Sequence, residues 1–191
     1  MAKDKRAIAV YSDAGNRRGV GSWGCYAKRT DGRGGEFERS GILRGSLDNS
    51  ELCEIRAIAN SLHSLVRAGM IERGELVVVY CDNIGAGRRI NAKRNKLSRE
   101  KVVELNNCAQ WIRDFAASNG FSLAVRFVKG HQPETSKDIH AAGNRRADAL
   151  ASSFFKSKYK TPKARPTLSS AARAAKIAAT VAKLSAGKVS A

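Results

Sequence analysis

The stretch Leu-Val-Val-Val-Tyr-Cys-Asp-Asn, from Leu76 to Asn83, combines a strong strand signal with an acidic residue. Its first part, Leu76 to Tyr80, is continuously apolar, which is typical of a strand buried on both faces in a parallel sheet. Asp82 follows this run almost directly. Because an unpaired buried carboxylate costs too much free energy to serve as a core residue, we expect Asp82 at a sheet edge, outside the core.

Three further acidic residues lie in local patterns of their own. Asp13 ends a second apolar, β-branched run and is expected at a strand end for the same reason. Glu54 and Asp148 lie in helical patterns. Gathered at one sheet edge, four carboxylates would repel one another until divalent cations neutralised them. The acids therefore predict a two-metal site suited to phosphoryl transfer.

The apolar patterns predict the order of the remaining elements. Strands are predicted at residues 6–12, 20–30, 35–44, 76–80 and 121–128, and helices at residues 49–67, 98–118 and 140–155. A meander followed by alternation of strands and helices implies an α/β fold, with a five-stranded mixed sheet flanked by helices.

The charge distribution divides the chain into two parts. The formal charge is +18 over 191 residues, and residues 156–191 hold nine Lys or Arg and no acid. We therefore predict a catalytic domain over residues 1–155 and a basic tail over residues 156–191. The tail begins as a Pro-containing linker and continues rich in Ala and Lys, which predicts disorder or a helix that forms only on a partner. Both parts favour a polyanionic partner.

The cysteine pattern and the chain start bear on the compartment. The four cysteines are far apart and form no C-x-x-C pair, which favours buried, reduced thiols. The amino terminus is charged and unlike a signal peptide, and no apolar run reaches membrane-spanning length. We therefore expect a cytoplasmic protein that does not bind membranes. We also expect a monomer.

These motifs, in this order, resemble the type 1 ribonuclease H family over residues 6 to about 155. The resemblance implies hydrolysis of the RNA strand of RNA–DNA hybrids, with products that carry 5′-phosphate and 3′-hydroxyl ends. It also implies two Mg²⁺ ions as cofactors, with Mn²⁺ as a substitute. The residues that match the family's catalytic and metal-binding acids are Asp13, Glu54, Asp82 and Asp148.

Other family motifs are matched less closely. Lys129-Gly130-His131 is similar to the family's Lys-Gly-His loop, whose histidine helps proton transfer or product release, so His131 is a catalytic candidate. The spacing from His131 to Asp148 is longer than the family's, which implies an extended loop in which His140 could stand in for His131. Asn144 matches a family asparagine and is a candidate for substrate binding.

The remaining substrate-binding candidates are polar and basic. Asn49, with Ser50 and Glu51, stands where the family has Thr-Asn-Asn, and Asn16 lies in the turn after the first acid. The stretch from residue 88 to residue 101 holds seven basic residues and one acid. A solvated helix face would explain such a run, but its density favours a protrusion that contacts phosphates. The candidates there are Arg88, Arg89, Lys93, Arg94 and Lys96.

Two assignments have structural alternatives. Glu51 competes with Glu54, because residues three apart share a helix face. A capping box from Asp48 to Glu51 would explain Glu51 without chemistry, so Glu54 is favoured. Asp148 could instead be an acid at a helix amino terminus, stabilised by the macrodipole.

Two alternative functions also remain at the level of sequence. The same fold hosts DNA-cutting nucleases such as integrases and junction resolvases, and fold alone does not fix the substrate. A non-enzymatic nucleic-acid-binding protein would suit the basic tail. Four clustered acids argue against that second alternative, because a binder of polyanions gains nothing from clustered negative charge.

Overall fold

The computed structural model describes residues 7–17, 19–31, 33–44, 49–92 and 100–158. Its elements in chain order are β1 (Ala7–Arg17), β2 (Val20–Arg29), β3 (Glu36–Leu43), α1 (Ser50–Arg67), β4 (Leu76–Cys81), α2 (Ile84–Asn91), α3 (Glu100–Asn119), β5 (Ser122–Phe127) and α4 (Ala141–Lys158). Among the described helices, none is long and apolar enough to cross a bilayer.

The described strands form one mixed sheet in the order β3-β2-β1-β4-β5. β1 pairs antiparallel with β2 and parallel with β4, and β4 pairs parallel with β5. The predicted five-stranded mixed sheet is therefore confirmed. In the parallel pair Tyr11 lies opposite Tyr80, so the residues that follow these two tyrosines lie close to one another.

Helices cover both faces of the sheet. α1 and α3 pack on one face, where Ile8 and Val10 of β1 meet Ile55 and Ile58 of α1 in the larger hydrophobic core. α4 packs on the other face, over β1 and β2. The side chains beneath it include a row of stacked tyrosines, namely Tyr26, Tyr11 and Tyr80. The centre of the sheet is thus buried on both sides, as the apolar run of β4 predicts.

The structure differs from the predicted elements in three places. β1 continues to Arg17 because β2 pairs with it along its whole length, so Asp13 lies within the strand and not at its end. The helix α2 was not predicted, and Arg88 and Arg89 belong to it. α4 runs to Lys158, three residues beyond the predicted boundary.

Some of the predicted features lie outside the described residues. These are residues 159–191 of the tail, together with Asp48, Lys93, Arg94 and Lys96. Their predicted roles stay predictions. All four cysteines do lie in the described part of the chain, where no disulfide links them and Cys25, Cys53 and Cys81 are buried.

The close approach of α4 to the sheet depends on Gly24 in β2. A Cβ atom at this position would lie 2.2 Å from the carbonyl oxygen of Ala147 and 2.5 Å from the amide nitrogen of Ala151. Both are backbone atoms of α4, so no side-chain rotation can relieve the overlap. Any side chain at residue 24 must therefore push α4 away from the sheet.

We expect Gly24→Ala to lower the free energy of unfolding by roughly 3 kcal/mol, since the added methyl group overpacks a helix–sheet contact. Urea unfolding monitored by circular dichroism measures the change. Gly87→Ala is the matched control, because a Cβ atom there meets only Val125 at 3.6 Å, an ordinary contact, and lies within α2. Equal stabilities of the two variants would contradict the packing argument.

Candidate metal centre

Three carboxylates from three different elements meet at one edge of the sheet. Asp13 lies on β1, Glu54 lies on α1, and Asp82 is the residue that follows β4. One oxygen of each lies within 4.8 Å of the others. We call this set the three-acid group. Asp13 and Glu54 are buried and Asp82 is half-buried.

The parallel pairing of β1 and β4 brings the two aspartates together. Each stands two residues beyond a tyrosine of the register pair Tyr11–Tyr80. Because parallel neighbours lie about 4.8 Å apart, carboxylates at matching positions are forced close. Glu54 reaches the same edge from α1, and its Oε1 accepts a hydrogen bond from the backbone N–H of Ala14 at 3.3 Å.

The burial of two of these acids corrects a prediction. We expected Asp13 outside the core, but its exposed fraction is 8%, and that of Glu54 is 7%. The reason is that β1 and β2 continue past Asp13, which pairs with Gly24, so the sheet extends beyond the acid. Burial of an unpaired carboxylate still costs free energy, and this cost is seen in the raised pKa values of the three-acid group.

Burial and mutual repulsion both oppose ionisation of the three-acid group. Burial, with the charges of Asp82 and Asp148, raises the pKa of Asp13 from 3.8 to about 7, against the opposing hydrogen bond from Ala14. Burial and the charge of Asp13 raise the pKa of Glu54 well above its usual value. Burial also raises the pKa of Asp82. Bound cations would remove these penalties.

The donor set fits a hard divalent cation. Oε2 of Glu54 is buried and has no hydrogen-bond partner among the described residues. This unpaired carboxylate oxygen is available to a cation. Oxygen donors from aspartate and glutamate are the ligands that Mg²⁺ and Mn²⁺ prefer. The three-acid group can therefore hold such an ion.

Asp148 lies next to the three-acid group but outside it. Its negative charge contributes to the raised pKa of Asp13 and of Asp82. It lies about two turns into α4, whereas the structural alternative offered by the sequence would place it at the amino terminus of the helix. The macrodipole acts only within the first turn, so helix capping does not explain this acid.

His131 completes this side of the site. Its Nδ1 lies 3.9 Å from Oδ2 of Asp148, and its charge lowers the pKa of Asp82. The imidazole is largely exposed, with 84% of its side-chain surface accessible. Gly130 lies directly against Asp82, because a Cβ atom at Gly130 would fall 2.3 Å from Oδ2 of Asp82. This contact was missed in the sequence, although Gly130 is part of the quoted Lys-Gly-His match.

His140 occupies a different place. Its Nδ1 lies 3.0 Å from the hydroxyl oxygen of Tyr11, and its ring stacks on Tyr80 at 3.9 Å between centroids. Burial lowers its pKa. The structure therefore places His131, and not His140, beside Asp148.

The competing acid Glu51 has a structural partner. Its Oε1 accepts a hydrogen bond from Nε of Arg89 at 2.7 Å, and Nη1 of the same arginine donates to Asn106 at 2.8 Å. The amino-terminal cap of α1 is Asn49, whose side chain accepts from the N–H of Leu52. The predicted capping box that starts at residue 48 is therefore replaced by a cap at Asn49.

The other predicted substrate contacts differ in exposure. Asn16 near the end of β1 and Arg88 on α2 are exposed. Asn144 is buried, and its side-chain Oδ1 has no hydrogen-bond partner among the described residues. Its backbone N–H donates to the carbonyl oxygen of His140. Of the predicted contacts, Asn16 and Arg88 are thus the most accessible to a ligand.

Comparison with solved structures identifies the fold. RNase H1 from the archaeon Halobacterium salinarum NRC-1 superposes with a TM-score of 0.56 and 16% identity, covering 79% of this chain and 98% of that chain. The N-terminal RNase H domain of Rv2228c from Mycobacterium tuberculosis, solved as a fusion with maltose-binding protein, gives 0.54 and 18%, covering 80% and 95%. The chain therefore has the ribonuclease H fold.

A third structure contains nucleic acid. LC11-RNase H1, isolated from compost by a metagenomic approach and solved in complex with an RNA/DNA hybrid, gives a TM-score of 0.55 and 20% identity, covering 76% of this chain and 94% of that chain. No protein-family model matches the chain, and no curated protein matches its sequence. The similarity therefore lies in the fold and in the order of its elements.

Proposed function

We propose that the chain is an endoribonuclease of the ribonuclease H type, which hydrolyses the RNA strand of RNA–DNA hybrids with two divalent cations. The observation that carries this proposal is the buried three-acid group, with an unpaired Oε2 on Glu54, at the sheet edge of a ribonuclease H fold. The hybrid bound by LC11-RNase H1 supports the substrate class. We further propose a monomer in the cytoplasm, where cysteines buried like Cys25 and Cys53 remain reduced.

The three-acid group and Asp148 would hold the cations, which would supply an activated water and neutralise charge on the leaving 3′ oxygen. The protein fixes the positions of the acids. Asp13 and Asp82 are set by the β1–β4 register, and Glu54 by its hydrogen bond from Ala14. These carboxylates therefore need no rearrangement to present their oxygens.

His131 is placed to handle protons. Its exposed imidazole beside Asp148 can carry a proton between the site and solvent. The carboxylate of Asp148 faces this ring, with 3.9 Å between its Oδ2 and Nδ1 of His131. The expected products carry 5′-phosphate and 3′-hydroxyl ends.

The substrate would be held by its phosphates and by its 2′-hydroxyl groups. Arg88, exposed on α2, is the first residue of the basic stretch that includes Lys93, Arg94 and Lys96, and it can reach phosphates. Asn16 is exposed on β1, three residues after Asp13. Contacts to 2′-hydroxyls are needed because only they distinguish RNA from DNA locally.

The first experiment compares substrates. The full chain is incubated with a labelled RNA–DNA hybrid and with single-stranded RNA, double-stranded RNA and double-stranded DNA, each with Mg²⁺ and with a chelator. Metal-dependent cleavage of only the hybridised RNA is the expected result. Nicking of DNA would instead favour a DNA nuclease of the same fold, and binding without cleavage of any substrate would favour a non-enzymatic role.

A further inference from the structure

The segment between β5 and α4 is folded on itself. We call residues 129–140 the histidine loop, since it contains both His131 and His140. Gln132 connects its two ends, because its Nε2 donates to the carbonyl oxygen of Lys129 (3.0 Å) and to Oδ2 of Asp138 (2.8 Å). Ser136 donates to Oε1 of the same glutamine at 2.6 Å. These hydrogen bonds join the two ends of the loop.

The carboxyl end of the loop is attached to the sheet through His140. The hydroxyl oxygen of Tyr11 and Nδ1 of His140 are hydrogen-bonded at 3.0 Å, and the imidazole stacks on Tyr80 with an interplanar angle of 22°. Tyr11 is 1% exposed, so the loop is attached at a buried residue of β1.

The attachment point lies directly beside the acids. Tyr11 and Tyr80 each stand two residues before a member of the three-acid group, Asp13 and Asp82. The other end of the loop lies beside the acids, since Gly130 lies against Asp82 of the three-acid group and His131 lies 3.9 Å from Asp148. The loop thus spans from the tyrosine pair to the metal centre.

A second attachment joins the loop to α4. Nη1 of Arg145 donates to the carbonyl oxygen of Pro133 at 2.8 Å. The carbonyl oxygen of His140 also accepts from the N–H of Asn144, in the first turn of α4. These contacts tie the loop to the helix that carries Asp148, whereas His140 ties it to the strands that carry Asp13 and Asp82.

We propose that His140 is a positioning residue, which fastens the histidine loop to β1 and β4 and thereby holds His131 beside Asp148. His140 itself takes no part in proton transfer, because its Nδ1 is occupied by Tyr11 and its ring is covered by Tyr80. The effect on catalysis rests on the proposed function, whereas the anchoring of the loop does not.

A double-mutant cycle tests the effect on catalysis. We expect His140→Ala to lower kcat for hybrid cleavage roughly tenfold, with KM unchanged, because it withdraws a group used in proton transfer. In a His131→Ala background, His140→Ala should cause no further loss, since the two residues act through one function. An equal loss in both backgrounds, or no loss in either, would overturn the proposal.

His63→Ala is the matched control for this cycle. His63 is exposed on α1 and contacts only the ring of Phe115 among the described aromatic side chains. Its removal should leave kcat unchanged in both backgrounds. Tyr11→Phe is a second test variant, which preserves the ring of residue 11 and removes only its hydroxyl group, so it remains informative if His140→Ala does not fold. It should reduce kcat in the same direction and likewise lose its effect when His131 is absent.

The anchoring is measured separately from activity. We expect backbone ¹⁵N order parameters of residues 130–139 to fall toward about 0.6 in His140→Ala, while those of the sheet and of His63→Ala remain at rigid values. Unchanged order parameters in the loop would overturn the proposal whatever the activity. If the native chain cleaves no hybrid and the order parameters still fall, the anchoring stands and only the proposed function fails.

Discussion

Asp13→Asn is expected to reduce cleavage of RNA–DNA hybrids on the order of a thousandfold, while the affinity for hybrid stays within about threefold. Asparagine preserves the shape of the side chain but removes the charge of an acid that is buried in the three-acid group. The site then attracts cations less strongly and neutralises less charge in the transition state. Binding is spared because it depends mainly on phosphate contacts made elsewhere.

Single-turnover cleavage with excess protein measures the chemical step, and fluorescence anisotropy in the presence of Ca²⁺ measures binding. Asp114→Asn is the matched control, because Asp114 is exposed on α3 and accepts only from Gln110 among the hydrogen bonds described. It should cleave at the native rate. Full activity of Asp13→Asn would exclude the metal centre as the site of hydrolysis.

The second large effect concerns stability without metal. The metal-free protein should lose stability as the pH rises from about 4 to above 7, because the pKa of Asp13 is 3.8 when unfolded and about 7 when folded. In that window the native state binds more protons than the unfolded state, so the free energy of unfolding falls with pH. At 1.36 kcal/mol per pKa unit, the loss attributable to Asp13 reaches about 4 kcal/mol above pH 7.

Urea unfolding at several pH values in the presence of a chelator measures this loss. Asp13→Asn lacks the titrating group, so it should become more stable than the native chain as the pH rises, by up to about 4 kcal/mol at pH 8. Mg²⁺ should raise the stability of the native chain and have little effect on Asp13→Asn, because ligands stabilise only the state that binds them. Parallel pH profiles of the two proteins in chelator would contradict the burial argument.

Together these two results would show that one residue opposes folding and enables catalysis. Asp13 is destabilising in the empty site because its charge is buried among like charges. The same burial increases the strength of its interaction with a bound cation. Activity and stability therefore change in opposite directions at this position.

The sequence predicted most of the fold because its apolar patterns are strong. The continuous run of β4 and the helical spacing of α1 are local signals, and the structure confirms both. α2 was missed because Ile84–Asn91 contains two glycines and two arginines, which obscure the apolar face. A signal was nevertheless present in Asn83, which caps this helix by accepting from the N–H of Ala86.

The sequence indicated which acids could converge, but not how they would be buried. The local patterns place Asp13 and Asp82 near strand ends, and the β1–β4 register then brings them together. Burial of Asp13 follows from the pairing of β1 with β2 beyond Ser12, which the prediction of a strand that ends at residue 12 did not include. The interaction of His140 with Tyr11, residues 129 positions apart, is equally invisible in a single sequence.

The order of the site residues along the chain has a consequence for biosynthesis. Asp13, Glu54 and Asp82 lie in the amino-terminal half, whereas His131 and Asp148 come late and depend on α4 settling over β2 at Gly24. Domains generally fold as units as they leave the ribosome. A nascent chain whose α4 has not yet left the ribosome lacks Asp148, and its His131 is not held beside that acid. Under the proposed function, an unfinished chain therefore cannot degrade hybrids, and hydrolysis begins only when nearly all of the described protein has been made.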